Sequence, residues 1–497
     1  MAQKSTPLNR RVLNSKIAAL AGSMMVYRRA TRAMANQQRN VAVTNRKVEI
    51  DQRGGHIAVL NELGMAIHPH LFGANNAWCF VTSEQFGAFC RSLRRHAGVT
   101  LLRYPGGFES ESYNWGSNTL NPRYRHFPKH PGATPQQAIA AMGAGNVSFV
   151  LRTVDAFRAN TPAAFNHWAN IAADLVTQYG AEVHDWEIGN EWYHLGGVVK
   201  HYDAFLRRYA RLVAHFVPIV RRAATLAGHR IHLYISLNWA QPHDVTVMRK
   251  VIPPGVWSQI DGFNIHAYSG FAPKKRKYYT APSIDEIAPR IALLQHLTGI
   301  SRVYASEWMA ALNNNDHYGG IKNAAYMMQI MGQFAQAGVA SAAYWPSVMP
   351  GRHIPQPNRV TLLADEPGYI PDADGQMMRW LSDGFHGRVL QTVTHGSEAR
   401  AIAARGRGGQ TSIFIAAGPE HHLKLPVWIV GRNNVKIIKA RVLWADDAHL
   451  DIGPARVAAL PVEISNHPSG SRCTMELNIG GRQRGSAWEI AHIELGK

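Results

Sequence analysis

The sequence predicts a (β/α)8 barrel followed by a C-terminal antiparallel β-sandwich. Three observations lead there. Between residues 71 and 345, eight short apolar segments alternate with helical patterns, the count and about the size of such a barrel. After Trp380 the pattern changes to short β-rich segments separated by Gly, Pro, Asn and Asp turns. A doubly wound sheet would show the same alternation, but it should carry a Gly-x-Gly-x-x-Gly turn after its first strand, and none is there.

Residues 1–48 contain ten Lys or Arg and no acidic residue. Leu13, Ile17, Leu20, Met24 and Met34 fall near helical spacing, so the stretch reads as a basic, weakly amphipathic helix. Three readings compete. Asn9-Arg10-Arg11-Val12-Leu13 resembles a twin-arginine export signal, an organellar transit peptide has the same composition, and a retained arm would bind a partner or an anionic surface. A real leader implies a periplasmic or secreted protein. Otherwise the expected place is cytoplasmic, or associated with a surface or assembly.

Strands are expected over 41–50 and His56–Leu60, outside the barrel because no helix follows them. The barrel strands are expected at Leu71–Asn76 and near 99–104, 147–152, 183–189, 231–237, 260–266, 301–306 and 340–345. Helices are expected at Ser83–His96 and near 161–178, 202–227, 283–298 and 319–337. Val389–Ala404, Thr411–Ala417, Leu425–Val430, Val435–Trp444, Ala455–Ile464 and Trp488–Leu495 supply the sandwich. The expected division is thus an arm or targeting segment over 1–40, strands joining the sandwich over 41–64, a catalytic barrel over 65–384 and the sandwich over 385–497.

Composition excludes several classes. No apolar run reaches the 18 or so residues of a spanning helix. Cys79, Cys90 and Cys473 have no metal-ligand spacing, and none of the 25 histidines forms a His-Glu-x-x-His pair, so neither metal nor cofactor is expected. The net charge of +20 favours anionic company: an acidic polysaccharide, an anionic membrane surface or a protein partner met through residues 1–48. Nucleic acid ranks last, since no finger, aromatic strand pair or basic zipper region is present. Oligomerisation stays open.

Chemistry points to the strand ends, where barrels bind ligands. Asp185-Trp186-Glu187-Ile188-Gly189-Asn190-Glu191-Trp192 closes the fourth strand, and Tyr304-Ala305-Ser306-Glu307-Trp308 closes the seventh. Glu191 and Glu307 delivered to one rim are what glycosidic bond cleavage needs, one to protonate the leaving oxygen and one to attack the anomeric carbon. Burial would raise the Glu191 pKa toward neutrality for the acid role. Asn190 offers an amide to a sugar hydroxyl. Arg103, ending strand two, could hold Glu307 ionised or form only a rim salt bridge. His266 and Tyr268, two apart on strand six, share a face: His266 would bind substrate or steady a carboxylate and Tyr268 would donate to Glu307, with a core His-x-Tyr as the plainer alternative. Trp345, closing strand eight, would floor a sugar ring, with Trp192, Trp239 and Trp308 as further candidates beside the plainer reading of core packing.

Leu102-Arg103-Tyr104-Pro105-Gly106-Gly107, Tyr113-Asn114-Trp115 and Asn121-Pro122-Arg123 resemble the second-strand loop of the α-L-arabinofuranosidases, a family of the retaining (β/α)8-barrel glycoside hydrolases. Trp186–Glu191 resembles the segment carrying that family's acid/base, Ser306-Glu307-Trp308 the segment of its nucleophile, and Asp261–Tyr268 its strand-six His-x-Tyr. The likeness covers about residues 41 to 497 and implies a C-terminal sandwich sharing a strand with the N-terminus. Departures fall around the sugar: Asn75-Asn76-Ala77-Trp78 replaces Phe-x-Glu-His, leaving Asn76 as a substrate-binding candidate and Ala77 where a Glu would stand. Trp192-Tyr193 replaces Met-Asp. Glu109 and Glu111 would then take over hydroxyl binding.

Lys274, Lys275, Arg276 and Lys277 follow strand six and would put positive potential on the rim, unless they form only a solvated loop. The expected function is a retaining glycoside hydrolase acting on a plant or microbial polysaccharide or oligosaccharide, with an acidic one among the options. β-Glucuronidase, heparanase-like, β-xylosidase and endoglucanase specificities stay open. The alternative is a non-catalytic carbohydrate-binding or structural subunit built on such a barrel.

Overall fold

The computed structural model describes residues 56–76, 80–121, 132–195, 198–269, 274–275, 280–310, 320–348, 361–364, 368–395, 399–418, 423–430, 432, 435–444, 455–466, 472–479 and 488–496. The basic arm, the strand expected at 41–50, Ala77, Arg276 and Lys277 lie outside them, as do the side chains of Lys274 and Lys275.

Eight parallel strands close a barrel in chain order: Gly73–Asn75, Leu101–Tyr104, Val147–Leu151, Asp185–Ile188, His232–Ser236, Gly262–Ser269, Arg302–Ala310 and Ser341–Tyr344. We refer to them as the first to eighth barrel strands. Closure is made where Tyr344 pairs with Ala74. Helices pack outside, and their starts are written locally. Thr82 and Thr161 accept from the backbone N–H three residues on, and Thr134 with Gln137 forms a reciprocal capping box. Arg94, Arg95 and His96 occupy the last turn of Ser83–His96, where positive charge complements the helix dipole.

The C-terminal module differs from the expected sandwich. Its ten strands form one hydrogen-bonded sheet in the order Arg456–Ala459, Lys436–Trp444, Glu489–Gly496, Thr411–Ala417, Arg400–Arg405, Gly387–His395, His56–Ile67, Leu423–Val430, Arg472–Ile479, Val462–Asn466. Val442, Ile413 and Val427, far apart in that order, bury into one core, so the sheet is curled around it. His56–Ile67 is the reason for continuity. It pairs antiparallel with Gly387–His395 on one side and parallel with Leu423–Val430 on the other, joining what would otherwise be two sheets.

The sheet is docked on the barrel through the helix Gly320–Gln336, which is apolar nearly all round and almost wholly buried. A side chain at Gly332 would collide with Ile402 of the sheet, so the missing Cβ sets the close approach. Among the described residues no helix is long and apolar enough to cross a membrane.

Behind the eighth strand, buried Asp374 accepts hydrogen bonds from Tyr344 and Asn323, and burial pushes its carboxyl up to about 8. The folded protein therefore keeps a proton that the unfolded chain, with a carboxyl near 3.8, releases. This stabilisation is complete below the unfolded value and is lost as pH rises through about 8. Asp374→Asn, which mimics the protonated acid, should flatten the decline in thermal midpoint between those limits. Parallel melting curves across that range for both proteins would refute the assignment.

Candidate active site

Inward-facing residues change character along the barrel axis. Leu101, Tyr234, Tyr304 and Ala343 form a closed layer toward the strand N-termini. Inward positions repeat every second residue, so Leu101 is followed by Arg103 on the second strand and Asp185 by Glu187 on the fourth.

Arg103 is fully buried, a position open to a charge only when it is paired and hydrogen-bonded throughout. All five of its N–H donors are engaged. Nε and Nη2 reach Glu187 Oε1 and Oε2 at 2.6 and 3.1 Å. Nη1 reaches Glu307 Oε1 at 2.7 Å and Asn75 Oδ1 at 3.0 Å, and Nη2 also reaches Asn190 Oδ1 at 2.7 Å. Burial works against the charge, but Glu187 and Glu307 outweigh it and raise the guanidinium pKa. Asn264 Nδ2 completes the network with 2.6 Å to Glu187 Oε2 and 3.0 Å to Ser306 Oγ.

Glu307 owes its aim to a bulge. The register between the sixth and seventh strands slips between Ala305 and Glu307, which sets Glu307 opposite His266. Ser306 and Glu307 both then serve the interior, as bulges near sites commonly arrange. Tyr268 donates to Glu307 Oε2 at 2.7 Å, and burial, then the carboxylates of Glu307 and Glu191, keep its phenol protonated. His266 Nδ1 lies 3.3 Å from the same Oε2 and 2.8 Å from Glu191 Oε1.

Glu191 stands past the end of the fourth strand in the left-handed region, at φ 41°. Gly189, at φ 79°, begins the reversal, and a Cβ there would sit 2.4 Å from Thr153 Oγ1. Asn190 N–H donates to Glu111 at 2.7 Å, anchoring the turn. The Glu191 side chain is 19% exposed against 5% for Glu307, so it is the more open of the two. Burial pushes the Glu191 carboxyl up. The His266 hydrogen bond and the charges of His266, His194 and Arg103 more than reverse this and hold it below its ordinary value. That is opposite to the direction expected from sequence. Burial also disfavours charge on His266, but Glu307 and Glu191 raise its pKa. One oxygen of each carboxylate and His266 Nδ1 lie within 4.8 Å of one another, near enough to hold a metal ion as well as to share protons.

At the rim, a Cβ on Gly107 would meet Trp345 at 2.5 Å and Glu109 Oε2 at 2.6 Å, so ring and carboxylate close on one point of the second-strand loop. Trp345 is partly exposed and Glu109 buried. Asn76 is buried, with its N–H on Arg103 O at 2.9 Å. Among the described residues, its side-chain amide, Asn190 Nδ2 and His266 Nε2 have no hydrogen-bond partner.

Four candidates are placed elsewhere. Glu111 does not offer its carboxylate to a ligand: both oxygens are taken by Thr153 N and Oγ1, Val154 N and Asn190 N. Trp192 is buried, stacked on Tyr209, with Nε1 donating to Ser236 O. Trp308 points outward against Phe334 and Tyr344, since it follows the inward Glu307. Trp239 is buried under Arg290. The sequence reading also missed Glu187, Asn75 and Asn264. The signal for Glu187 was an acidic residue between Trp186 and Ile188 in a strand, which demands a buried partner.

No family model matches the chain, and no curated protein matches it. Solved structures do. A family 51 α-L-arabinofuranosidase from Bifidobacterium longum has 15% identity and a TM-score of 0.57, covering 88% of this chain and 98% of its own. A glucosidase from Croceicoccus marinus has 12% identity and a TM-score of 0.54, covering 90% and 100%. A family 44 xyloglucanase from Paenibacillus polymyxa has 12% identity and a TM-score of 0.53, covering 89% and 100%. The fold is glycoside-hydrolase-like. At these identities the likeness is one of fold.

Arg103→Met would leave Glu187 buried without its counter-charge and should lower the unfolding free energy by about 3–5 kcal/mol. Adding Glu187→Met should recover part of that loss in chemical denaturation. Equal losses in the single and double variants would mean that the pair is not coupled.

Proposed function

We propose that the protein is a retaining glycoside hydrolase, with Glu307 as nucleophile and Glu191 as acid/base, acting on a polysaccharide or oligosaccharide. One observation carries the reading: carboxylate oxygens of Glu191 and Glu307 approach within 4.8 Å. Retaining enzymes hold their carboxyl groups about 5–5.5 Å apart, whereas inverting ones leave about 6.5–9.5 Å for a water. The strand-end motifs support arabinofuranosidase-like chemistry.

The steps follow from the contacts. Arg103 and Tyr268 hold Glu307 oriented, and its free electron pair attacks the anomeric carbon. The bond to the glycosidic oxygen breaks as that oxygen takes a proton from Glu191. The resulting glycosyl ester is then attacked by water, whose proton passes to ionised Glu191, regenerating both carboxyl groups. The lowered Glu191 pKa fits this scheme if the acid's proton rests on His266 Nδ1, 2.8 Å away, and crosses to Glu191 as the leaving oxygen arrives.

Glu307→Ala should abolish turnover of every substrate. Glu191→Ala should spare dinitrophenyl glycosides in the first step, because their leaving group needs little protonation. Equal loss on activated and unactivated glycosides would exclude Glu191 as the acid.

The pH profile tests the proton's seat. With the His266 pKa raised, kcat/KM on an unactivated glycoside should persist past pH 6.5 and fall only as the pH rises through a higher value. His266→Gln should move that basic limb to lower pH. An unmoved limb in the variant would show that His266 does not carry the proton.

A further inference from the structure

Glu191 is a non-glycine residue in the left-handed region, a conformation that persists only where its surroundings over-determine it. Ladder pairing of the fourth and fifth strands ends before it, with Ile188 opposite Ile235. Two other supports flank it. On one side Asn190 N–H is anchored on Glu111. On the other side stands Trp192, buried, with its Nε1 donating to Ser236 O at 3.0 Å.

Ser236 closes the fifth strand, and side chains engage both of its backbone groups. Its N–H donates to the Tyr209 hydroxyl at 2.8 Å, and that hydroxyl donates to Ile188 O at 2.6 Å. One hydroxyl thus joins the ends of the fourth and fifth strands. The Tyr209 ring, carried by the helix Val198–Leu226, also stacks on the Trp192 indole, with centroids 5.4 Å apart and planes at 13°. Both rings are buried, and their hydrogen bonds go to backbone rather than to His266 or the carboxylates. What they fix is the chain on either side of Glu191, at Ile188 before it and Trp192 after it.

We propose that Tyr209 and Trp192 are positioning residues for the acid/base, clamping the Glu191 backbone to the fifth strand so that its carboxyl stays on His266 Nδ1. The role of Glu191 rests on the retaining-hydrolase reading, while the clamp rests on these contacts alone. Glu307 is held by Arg103 and Tyr268, so loss of the clamp leaves the nucleophile aimed and misplaces only the acid. The steps that need a proton from Glu191, or a base there, then slow.

Two conservative variants test the clamp. Tyr209→Phe keeps the stacked ring and deletes the shared hydroxyl, and Trp192→Phe keeps an aromatic ring and deletes the donor to Ser236. In crystal structures of both, the Glu191 carboxyl should lie about 1 Å or more from its wild-type place, a misplacement that can cost about a hundredfold in rate. The kinetic substrates are phenyl and dinitrophenyl glycosides of a sugar the wild type cleaves. On the phenyl glycoside kcat/KM should fall about tenfold or more, part of the roughly 10²–10⁴ that a general acid supplies. On the dinitrophenyl glycoside it should stay within about threefold, because that leaving group needs little protonation. Azide attacks the anomeric carbon of the glycosyl ester with no proton to lose, forming a glycosyl azide and freeing Glu307. It should therefore raise kcat of the variants on the dinitrophenyl glycoside and leave the wild type unchanged. A general loosening of the rim would slow both substrates alike and give azide no effect. That pattern would overturn the proposal, and so would an unmoved Glu191 carboxyl in the folded variants. A displaced carboxyl in a protein whose wild type cleaves no glycoside would uphold the clamp and overturn the hydrolase reading instead.

Discussion

Everything in the pocket depends on a single buried cation. Arg103 has no contact with water, and its five donors bind Glu187, Glu307, Asn75 and Asn190, which come from the ends of the fourth, seventh, first and fourth strands. A guanidinium is planar with donors in a fixed fork, so it prescribes where those oxygens lie as well as compensating their charge. Glu187 is the structural counter-ion: it takes the bidentate pair and has no exposed surface. Glu307 receives a single bond from the same group and remains turned toward the pocket mouth, where Tyr268 and His266 reach it. One cation thus supports two carboxylates with unequal freedom.

The barrel was legible because its signal is repetitive. Eight apolar segments, each followed by helix, constrain the topology far more than any one segment does, and the observed strands fall on the expected ones. Arg103, His266, Tyr268 and Glu307 were legible as polar side chains at strand ends, where barrels bind ligands, although His266 and Tyr268 also had a core reading. The errors came where strand parity fails. Trp192 follows the left-handed turn at Gly189 and Glu191, and Trp308 follows the bulge at Ser306, so neither side chain faces the way a regular strand would send it. Glu111 was misread because its partners are backbone N–H groups, which leave no mark in a sequence.

The C-terminal module shows a different limit. Most of its β segments were visible, although Arg472–Ile479 was not expected and Val389–Ala404 and Ala455–Ile464 each cover two strands; the pairing order, moreover, depends on which edges meet. The register of His56–Ile67 between Gly387–His395 and Leu423–Val430 is set by contacts more than 300 residues apart in sequence. A strand from the far end of the chain converts two expected sheets into one curled one. The same strand also fixes the module against Gly320–Gln336, the helix between the seventh and eighth barrel strands, so the order of the sheet bears on the packing behind Glu307.

The lowered pKa of Glu191 comes from the positive groups set against it, His266 first, which outweigh its burial. Two carboxylates within 4.8 Å repel, so their closeness calls for a cation between them. His266 supplies it, and Glu307 is the strongest of the charges that raise its pKa. On the proposed mechanism, Glu307 loses its charge when it becomes a glycosyl ester. The main influence favouring protonated His266 then disappears at the moment Glu191 has given up its proton. What remains is an ionised Glu191 beside a neutral imidazole, which is the pair needed to accept a proton from the attacking water. When the ester is hydrolysed, the charge on Glu307 returns and His266 again becomes the favoured seat for that proton. On that mechanism the order of covalent steps itself drives the alternation of Glu191 between acid and base, with His266 holding the proton in between.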